Sequence, residues 1–452
     1  MMRRRIARAA LSTGFRTGGS VTALAAGLAL AAGLVLTGVT PQAASAAADG
    51  TAAQGATAVD GKVRGSLPVP AGPYRVGTAS LHLIDRSRPD PWVSEPPYRE
   101  LMVSLFYPAT IGTSHATSRG TAPYMLPKAA GHFDSVDIND YLGLNLPTGA
   151  VDWSATATHA YADAPVDRRA GTLPVVLYSP GLGEPRTWST TLVEQLASRG
   201  YLVVTIDNTY ESPEVQFPDG RLEVLSDPQP TVAWITKLIT TRSADTSFVL
   251  DQLTAINGGS DRDPAIPAGL RGAMNLGAVG MLGHSAGGFA TAQAMYGDSR
   301  IKTGINMDGT MTLNPDESAA SDPAYFPDVV TSGLDRPFLL IGSDGAGGES
   351  RLADPSWASF WAHSTGWHAD LTLRGSAHAS FTDAETLVPQ IAAALQLPTQ
   401  TVTTDIGTLD PDRAVTVEDD YLAAFFDRFL RHRSGHLLDG PSPRYPEMSF
   451  IG

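Results

Sequence analysis

Gly280-Met281-Leu282-Gly283-His284-Ser285-Ala286-Gly287-Gly288 is the stretch of this 452-residue sequence that decides its fold. An apolar run, Leu276–Leu282, stops at Gly283, and Phe289–Met295 then has the composition of a helix. The order strand, sharp turn, helix predicts that Ser285 takes a strained backbone conformation and presents its hydroxyl above a sheet. Glycine is expected on both sides of the serine because strand and helix pass close together there. The alternative is a glycine-rich turn whose serine only caps the helix.

Composition and charge exclude several classes of protein. The formal net charge is -14, and the first 46 residues carry only positive charges, so the remainder is more acidic still. An acidic surface repels phosphate groups, which argues against nucleic-acid binding and against electrostatic docking on anionic membranes. The sequence has no cysteine, which excludes disulfides, thiolate catalysis and cysteine-based zinc sites. The hydrophobic fraction of 42% is ordinary for a soluble globular protein.

Residues 1–46 are predicted to be a secretory signal peptide, so the mature protein is expected outside the cell. A basic start, Arg3-Arg4-Arg5, precedes an apolar stretch from Val21 to Val39, and Ala44-Ser45-Ala46 offers a small-residue cleavage site. The alternative is an uncleaved membrane anchor, because the apolar stretch is long for a signal peptide. After cleavage we expect no stable membrane insertion. Residues 47–68 have the composition of a disordered lead-in.

Residues 69–452 are predicted to form one large α/β domain. Short apolar runs alternate with helical segments, which predicts a mostly parallel sheet with helices on both faces. The predicted strands are Ser80–Ile84, Leu101–Tyr107, Leu173–Tyr178, Tyr201–Asp207, Leu276–Leu282, Thr303–Gly309, Pro337–Gly342 and, last, Ala369–Leu373. The predicted helices are Thr190–Arg199, Thr231–Ile256, Phe289–Met295, Pro355–Trp361, Thr382–Leu395 and Val417–Arg431.

Residues 109–171 interrupt this alternation as a long irregular stretch. They carry apolar and aromatic side chains, among them Tyr124, Phe133, Tyr141 and Trp153. Irregular segments of this length inside a compact domain are usually functional or mobile. We interpret the segment as a lid or a pocket wall that could hold an acyl chain or a lipid, with surface decoration as the alternative.

His378 is the predicted partner of Ser285. A serine hydroxyl becomes a useful nucleophile when a neighbouring base takes its proton, and histidine does this at neutral pH. In an open parallel sheet, reactive residues gather beyond the carboxyl ends of the strands, and His378 follows the last predicted strand. His368 lies at the opposite end of that strand and His363 on the preceding helix, so both are expected to be structural. His284 adjoins the nucleophile and is expected to pack or to form hydrogen bonds.

Two aspartates compete to orient the histidine. Asp308 ends one predicted strand and Asp344 follows the next, so the pattern leaves the choice open, and each could instead only cap a loop. A tetrahedral intermediate also needs two backbone N–H donors aimed at the oxyanion. Ala286, the residue after the nucleophile, supplies one, and Leu182 in the loop Pro180–Gly183 is the expected second donor, although that loop could be merely a turn.

No cofactor or metal site is predicted. The sequence has no His-Glu-x-x-His motif, no EF-hand spacing and no glycine-rich nucleotide fingerprint. The acidic, glycine-rich segment from Asp344 to Asp354 could at most bind calcium by accident.

A series of motifs resembles the plasma-type platelet-activating-factor acetylhydrolases, also called the isoform II type, and their secreted bacterial relatives. They run in the family's order from about residue 75 to the C-terminus, and they are Tyr107-Pro108, Ser179–Gly183, Leu196–Tyr201, Val249–Leu253, Gly283–Gly288, Asn306–Gly309, Arg374–His378 and Ala424–Asp427. Two features depart from the family. Pro180 stands where the family usually has histidine, and residues 109–171 have no evident counterpart.

The resemblance implies an α/β-hydrolase fold and metal-independent ester hydrolysis through a serine acyl-enzyme. It also implies that Asp308 rather than Asp344 is the acid, and that Leu182 and Ala286 donate to the oxyanion. We therefore expect a secreted serine esterase that acts on a small-molecule or lipid ester. Three alternatives remain: a polyester, cutin or triglyceride hydrolase, a peptidase, and a non-catalytic binding protein on a hydrolase scaffold.

Overall fold

The structure is a computed structural model, and it describes residues 57–112, 120–226, 230–261, 263–316, 321–345 and 348–452. The predicted signal peptide and the first part of the predicted lead-in lie outside these ranges. Within them, no helix is both long enough and apolar enough to cross a bilayer.

A ten-stranded sheet forms the centre of the fold and confirms the predicted α/β class. The strands of the structure are β1 Thr57–Val59, β2 Lys62–Arg64, β3 Val76–Asp85, β4 Arg99–Pro108, β5 Tyr161–Ala162, β6 Leu173–Ser179, β7 Leu202–Asp207, β8 Glu214–Gln216, β9 Leu222–Val224, β10 Met274–His284, β11 Ile301–Met307, β12 Phe338–Ser343, β13 His368–Leu373 and β14 Met448–Phe450. The order in the large sheet is β14-β13-β12-β11-β10-β6-β7-β4-β3-β5. The six strands from β13 to β7 are parallel, whereas β14 and β4 join them antiparallel.

Helices cover both faces of this sheet. The α-helices of the described residues are α1 Pro127–His132, α2 Ile138–Tyr141, α3 Thr190–Ser198, α4 Val232–Asn257, α5 Ala286–Gly297, α6 Asp328–Ser332, α7 Pro355–His363, α8 Ala384–Leu395, α9 Thr399–Ile406 and α10 Pro411–Leu430. Side chains alternate along each strand, so Val175 and Leu177 of β6 enter one core cluster while Val176 and Tyr178 enter the other. Burial on both faces explains why these strands are continuous apolar runs.

The parallel arrangement fixes where a functional site can form. β6, β10, β11, β12 and β13 all point the same way, so their carboxyl ends meet at one edge of the sheet. The Ser285 turn, Asp308 and the His378 loop each follow one of those ends.

The predicted disorder of residues 47–68 is wrong for the described end of that range. β2 pairs with β1, and the Val63 N–H donates to Ala150 O at 2.8 Å. Val63 and Leu67 are buried in the cluster formed with residues 109–171. These few apolar residues are held by a distant segment, so their local composition gave no sign of order.

The C-terminal strand β14 and helix α9 were not predicted from the sequence. The prediction that Ala369–Leu373 is the last strand is therefore wrong, because β14 follows it. β14 has three residues, too few to show an alternation, and it pairs antiparallel with β13 at the edge of the sheet.

The described residues of the 109–171 segment are more ordered than their sequence suggests. They contain α1, a π-helix at Phe133–Asp137, α2, two short 3-10 turns and strand β5. Their aromatic side chains pack chiefly on one another and on Trp188, since Phe133, Trp153 and Trp188 are in mutual ring contact. The segment therefore contributes to a third core cluster, which it shares with apolar side chains of α8 and α9.

Candidate active site

Ser285 occupies a sharp turn between β10 and α5. Its backbone has φ 53° and ψ -122°, a strained combination for a residue with a side chain. A Cβ on Gly283 would lie 2.3 Å from the carbonyl carbon and oxygen of Gly287, and one on Gly287 would lie 1.9 Å from Ser179 O. The prediction that both glycines allow a close strand-to-helix passage is confirmed, and the Ser285 side chain makes no capping hydrogen bond to the helix.

Asp308 and His378 form a hydrogen-bonded pair. The Nδ1 atom of His378 lies 2.7 Å from Asp308 Oδ2, and it must be the donor because a carboxylate only accepts. The Asp308 side chain is fully buried, whereas 18% of the His378 side chain is exposed. The histidine is thus accessible to solvent, whereas the aspartate behind it is not.

Further hydrogen bonds hold the Asp308 carboxylate. Its Oδ1 accepts from the N–H groups of Ser343 at 2.8 Å and Glu349 at 3.0 Å, and its Oδ2 accepts from the Ser343 hydroxyl at 3.0 Å. Burial alone would raise the pKa of Asp308, but the bonds from His378, Ser343 and Glu349 outweigh it and keep the pKa below the ordinary value. Asp308 is therefore held as a carboxylate. Asp344 is exposed and instead accepts from the Gly375 N–H.

Backbone contacts bring Ser285 to the same place. Its N–H donates to Met307 O at 2.8 Å, one residue before Asp308. The carbonyl oxygen of His378 lies 2.9 Å from Nε2 of His284, one residue before Ser285. Within the described part of the chain, no hydrogen bond joins the Ser285 hydroxyl to the His378 ring; such bonds are often long until substrate binds. These contacts therefore place the Ser285 turn beside the positions of Asp308 and His378.

The loop after β6 lies beside the Ser285 turn, since the backbone of Gly287 packs on Ser179 and Pro180. Among the described residues, neither the Leu182 N–H nor the Ala286 N–H has a protein acceptor, and Ala286 begins helix α5. Unpaired N–H groups at a helix start suit a negative charge. The guanidinium of Arg242 secures the loop by donating to the carbonyl oxygen of Pro180.

A second histidine–carboxylate pair, Glu184–His284, lies next to the nucleophile and was not foreseen. Nδ1 of His284 lies 2.7 Å from Glu184 Oε1, and both side chains are at most 1% exposed. Because the other ring nitrogen faces the carbonyl oxygen of His378, both nitrogens face acceptors, and the ring must carry two protons. Burial is the largest single influence and lowers the pKa of His284, but the charge and hydrogen bond of Glu184, the charge of Asp308 and the carbonyl of His378 together outweigh it, so the net shift is upward. The pKa of Glu184 is correspondingly lowered, because His284, Tyr141 and Gly181 together outweigh its burial.

Glu184 also ties this pair to two other parts of the molecule. Its Oε2 accepts from the Gly181 N–H at 2.6 Å, which shapes the loop that carries Leu182. Its Oε1 accepts from the hydroxyl of Tyr141 in the 109–171 segment. The only sequence signal was an acid directly after a glycine-rich loop. The prediction that His284 has a hydrogen-bonding role is confirmed.

The 109–171 segment lines a cavity, although not one above Ser285. A cavity of about 340 Å³ lies between this segment, β3, β4 and the start of α3, and neither Ser285 nor His378 lines it. Tyr124 and Met125 contribute to its wall. The segment thus forms a pocket wall, but the pocket is a cavity separate from the predicted site.

The remaining predicted positions have local roles. His363 Nδ1 bonds to Ser359 O, and His368 Nδ1 bonds to Gly366 O. In the acidic segment, the Asp354 side chain caps helix α7. Among the described residues, the one group that brings three possible metal-ligand atoms together is His132, Asp137 and Glu214, none of which belongs to the Ser285 site.

Comparisons with known proteins give three findings. The family model described as platelet-activating factor acetylhydrolase, isoform II, matches residues 60–435. A protein of Arthroderma benhamiae named probable 1-alkyl-2-acetylglycerophosphocholine esterase is 27% identical over 410 residues, which cover 85% of this chain and 93% of that protein. The ferulic acid esterase from Streptomyces cinnamoneus, a solved structure, is 32% identical with a TM-score of 0.65, covering 86% of this chain and 99% of that chain. Both relatives are esterases by name.

Proposed function

Because this chain belongs to the platelet-activating factor acetylhydrolase isoform II family and is a carboxylic ester hydrolase with an α/β-hydrolase fold, we propose that it works through a serine acyl-enzyme. The nucleophile is Ser285, the base is His378 and the orienting acid is Asp308. The observation that carries the proposal is the 2.7 Å bond between His378 and the buried Asp308, beside a serine held at positive φ.

The chemistry proceeds in two halves. The Ser285 oxygen attacks the ester carbonyl while His378 Nε2 takes the hydroxyl proton, and Asp308 stabilises the imidazolium from the Nδ1 side. The N–H groups of Leu182 and Ala286 receive the oxyanion. The histidine then gives its proton to the leaving alcohol, which departs as the C–O bond breaks. In the second half His378 deprotonates water, which attacks the acyl carbonyl, and the proton returns to Ser285 as the acid leaves.

Replacement of the nucleophile tests this assignment. Ser285→Ala is expected to lower kcat for p-nitrophenyl acetate by about 10³-fold or more, and to abolish labelling by a fluorophosphonate probe. Ser299→Ala is the matched control, because Ser299 is exposed just beyond the other end of the same helix. The mechanism would be refuted if the Ser285→Ala variant were still labelled by the probe or kept most of the wild-type activity. If the wild-type protein were not labelled, a binding protein on a hydrolase scaffold would be favoured instead.

The substrate is proposed to be a small acyl ester or a lipid ester. The family and the Arthroderma benhamiae relative support an acetyl ester of a glycerophosphocholine. Such a lipid should then be turned over with a higher kcat/KM than insoluble polyester film or a long-chain triglyceride.

A second candidate substrate is an ester of an aromatic acid. It is favoured by the 32% identity with a ferulic acid esterase that aligns over 99% of its length. Comparing kcat/KM for methyl ferulate with that for the acetylated phospholipid decides between the two, since a preference of tenfold or more for either would identify the acyl group.

We also propose that the protein is secreted after cleavage near Ala44-Ser45-Ala46. N-terminal sequencing of the protein recovered from culture medium tests this, and a start at residue 1 or 2 would contradict it.

A further inference from the structure

We propose that His132, Asp137 and Glu214 form a binding site for a divalent transition-metal ion such as Zn²⁺, separate from the Ser285 site. Nδ1 of His132 lies 2.7 Å from Asp137 Oδ2 and 3.2 Å from Glu214 Oε2. One ligand atom from each residue lies within 4.8 Å of the others. One imidazole nitrogen and two carboxylate oxygens are a donor set that zinc accepts in proteins.

An unusual backbone turn creates this arrangement. His132 is the last residue of α1, and Asp137 is the last residue of the π-helix that follows it. In a regular α-helix the fourth residue after His132 would stand beside it, and that residue is Val136. A π-turn is one residue wider and places Asp137 there instead. Single π-turns are rare and frequently occur at functional sites.

The third ligand is a buried carboxylate that lacks a full set of partners. Only 1% of the Glu214 side chain is exposed, and its Oε1 atom has no hydrogen-bond partner among the described residues. Leaving such a group unpaired in the interior is costly, so the atom is available for a ligand.

Among the described residues, no arginine or lysine forms an ion pair with Asp137 or Glu214, and both acids face His132. Arg186 is committed to Asp207, and the ammonium of Lys128 donates to Gly220 O. Asp134, on the same π-turn, accepts instead from Gly149 and Trp153. Two acids therefore face one histidine, and a divalent cation could bind all three side chains at once.

The donor set selects the class of ion. Mg²⁺ and Ca²⁺ prefer oxygen ligands alone, whereas imidazole favours zinc and its transition-metal neighbours. A tetrahedral zinc site separates its ligand atoms by roughly 3.3 Å, so the distance of 2.7 Å between His132 Nδ1 and Asp137 Oδ2 would have to open by about 0.6 Å. Binding would displace any Nδ1 proton to solvent, and water would complete the shell because His132 and Asp137 are partly exposed.

The test uses the full-length mature protein, stripped with chelator and titrated with Zn²⁺ by calorimetry. Wild type is expected to bind one ion per chain, confirmed by elemental analysis after dialysis, and to melt at a higher temperature with zinc. Glu214→Gln and His132→Gln are each expected to weaken binding at least tenfold. If the buried Glu214 variant does not fold, His132→Gln still decides the test, because 22% of the His132 side chain is exposed and its replacement disturbs the interior less.

His82→Gln is the matched control. His82 is a half-buried histidine whose Nε2 lies 3.3 Å from a single carboxylate, that of Glu100, and its loss should leave zinc affinity unchanged. The site is refuted if stripped wild type binds no zinc, or if His132→Gln binds as tightly as His82→Gln. In that case His132, Asp137 and Glu214 are only a hydrogen-bonded cluster.

Discussion

Two histidine–carboxylate pairs lie beside Ser285, and they differ in what each imidazole can reach. In the Asp308–His378 pair, 18% of the histidine side chain is exposed and only Nδ1 is bonded to the acid. In the Glu184–His284 pair, the histidine is fully buried and both nitrogens face acceptors. The two rings are 4.4 Å apart between centroids. The two pairs therefore have similar functional groups but different access to solvent and different numbers of occupied ring nitrogens.

The difference lies in the second nitrogen. His378 has a ring nitrogen left to exchange a proton with a nucleophile, which a general base requires. His284 is fixed as a cation between Glu184 and a backbone carbonyl, so it has no proton to exchange without losing a buried bond. We infer that the Asp308 pair carries the chemistry, while the Glu184 pair positions the His378 backbone and the loop at Gly181.

The largest effect should follow from breaking the first pair. In Asp308→Asn the amide oxygen is expected to keep the two backbone N–H bonds now made to Oδ1, so the NH2 group faces His378 Nδ1 and cannot fix its tautomer. The expected fall in kcat is about 10³- to 10⁴-fold. KM should change little, because Asp308 is buried behind the histidine. Steady-state kinetics with p-nitrophenyl acetate measure both constants. A loss smaller than tenfold in a folded variant would show that Asp308 does not orient the base.

Breaking the second pair should cost stability first. Glu184→Gln leaves a buried imidazole without its counter-charge, and we expect a loss of about 3–5 kcal/mol in the free energy of unfolding. Denaturant titration measures this loss. The proposed positioning role also requires that kcat decrease in the folded variant with the fluorophosphonate site still labelled, although far less than for Asp308→Asn. An unaltered kcat would make the pair purely structural.

Removing the link to the 109–171 segment should have an intermediate effect. Tyr141→Phe deletes only the hydroxyl that donates to Glu184, and a bond to a charged group contributes about 1.5–3 kcal/mol. Tyr98→Phe is the control, because that ring is exposed. Equal denaturation midpoints for the two variants would mean that the segment is not coupled to the site through Tyr141.

The pH dependence of stability separates the pairs further. The lowered pKa of Glu184 contributes stability above its unfolded value of about 4.3, which is lost as pH falls through the folded value. The raised pKa of His284 contributes stability below about 6.5, which is lost as pH rises through the folded value. The free energy of unfolding of wild type should therefore exceed that of the Glu184→Gln/His284→Gln double variant by the largest amount between about pH 4.5 and 6.5. A difference that stays constant from pH 4 to 9 would contradict the ion pair.

The same contrast between the two pairs explains which residues of the site could be predicted from the sequence. Ser285 and His378 could be predicted because each follows an apolar strand whose carboxyl end must reach one edge of the sheet. Asp308 and Asp344 both satisfy that rule, and the pattern alone could not separate them. Glu184 could not be assigned a partner, because His284 lies 100 residues away. Strand-end rules locate a backbone, whereas hydrogen-bond partners depend on packing that no local pattern records.

The smallest expected effect sharpens the choice between the two aspartates. Asp344 is exposed and caps one backbone N–H at Gly375, so Asp344→Asn should change kcat by less than about twofold and stability by no more than about 0.5 kcal/mol. The asparagine side chain can still accept that hydrogen bond, and the change therefore isolates the charge of residue 344. If Asp344→Asn reduced kcat as strongly as Asp308→Asn, the bond between Asp308 and His378 would not be the one that catalysis uses. The loop at 344 would then have to move toward the histidine when substrate binds.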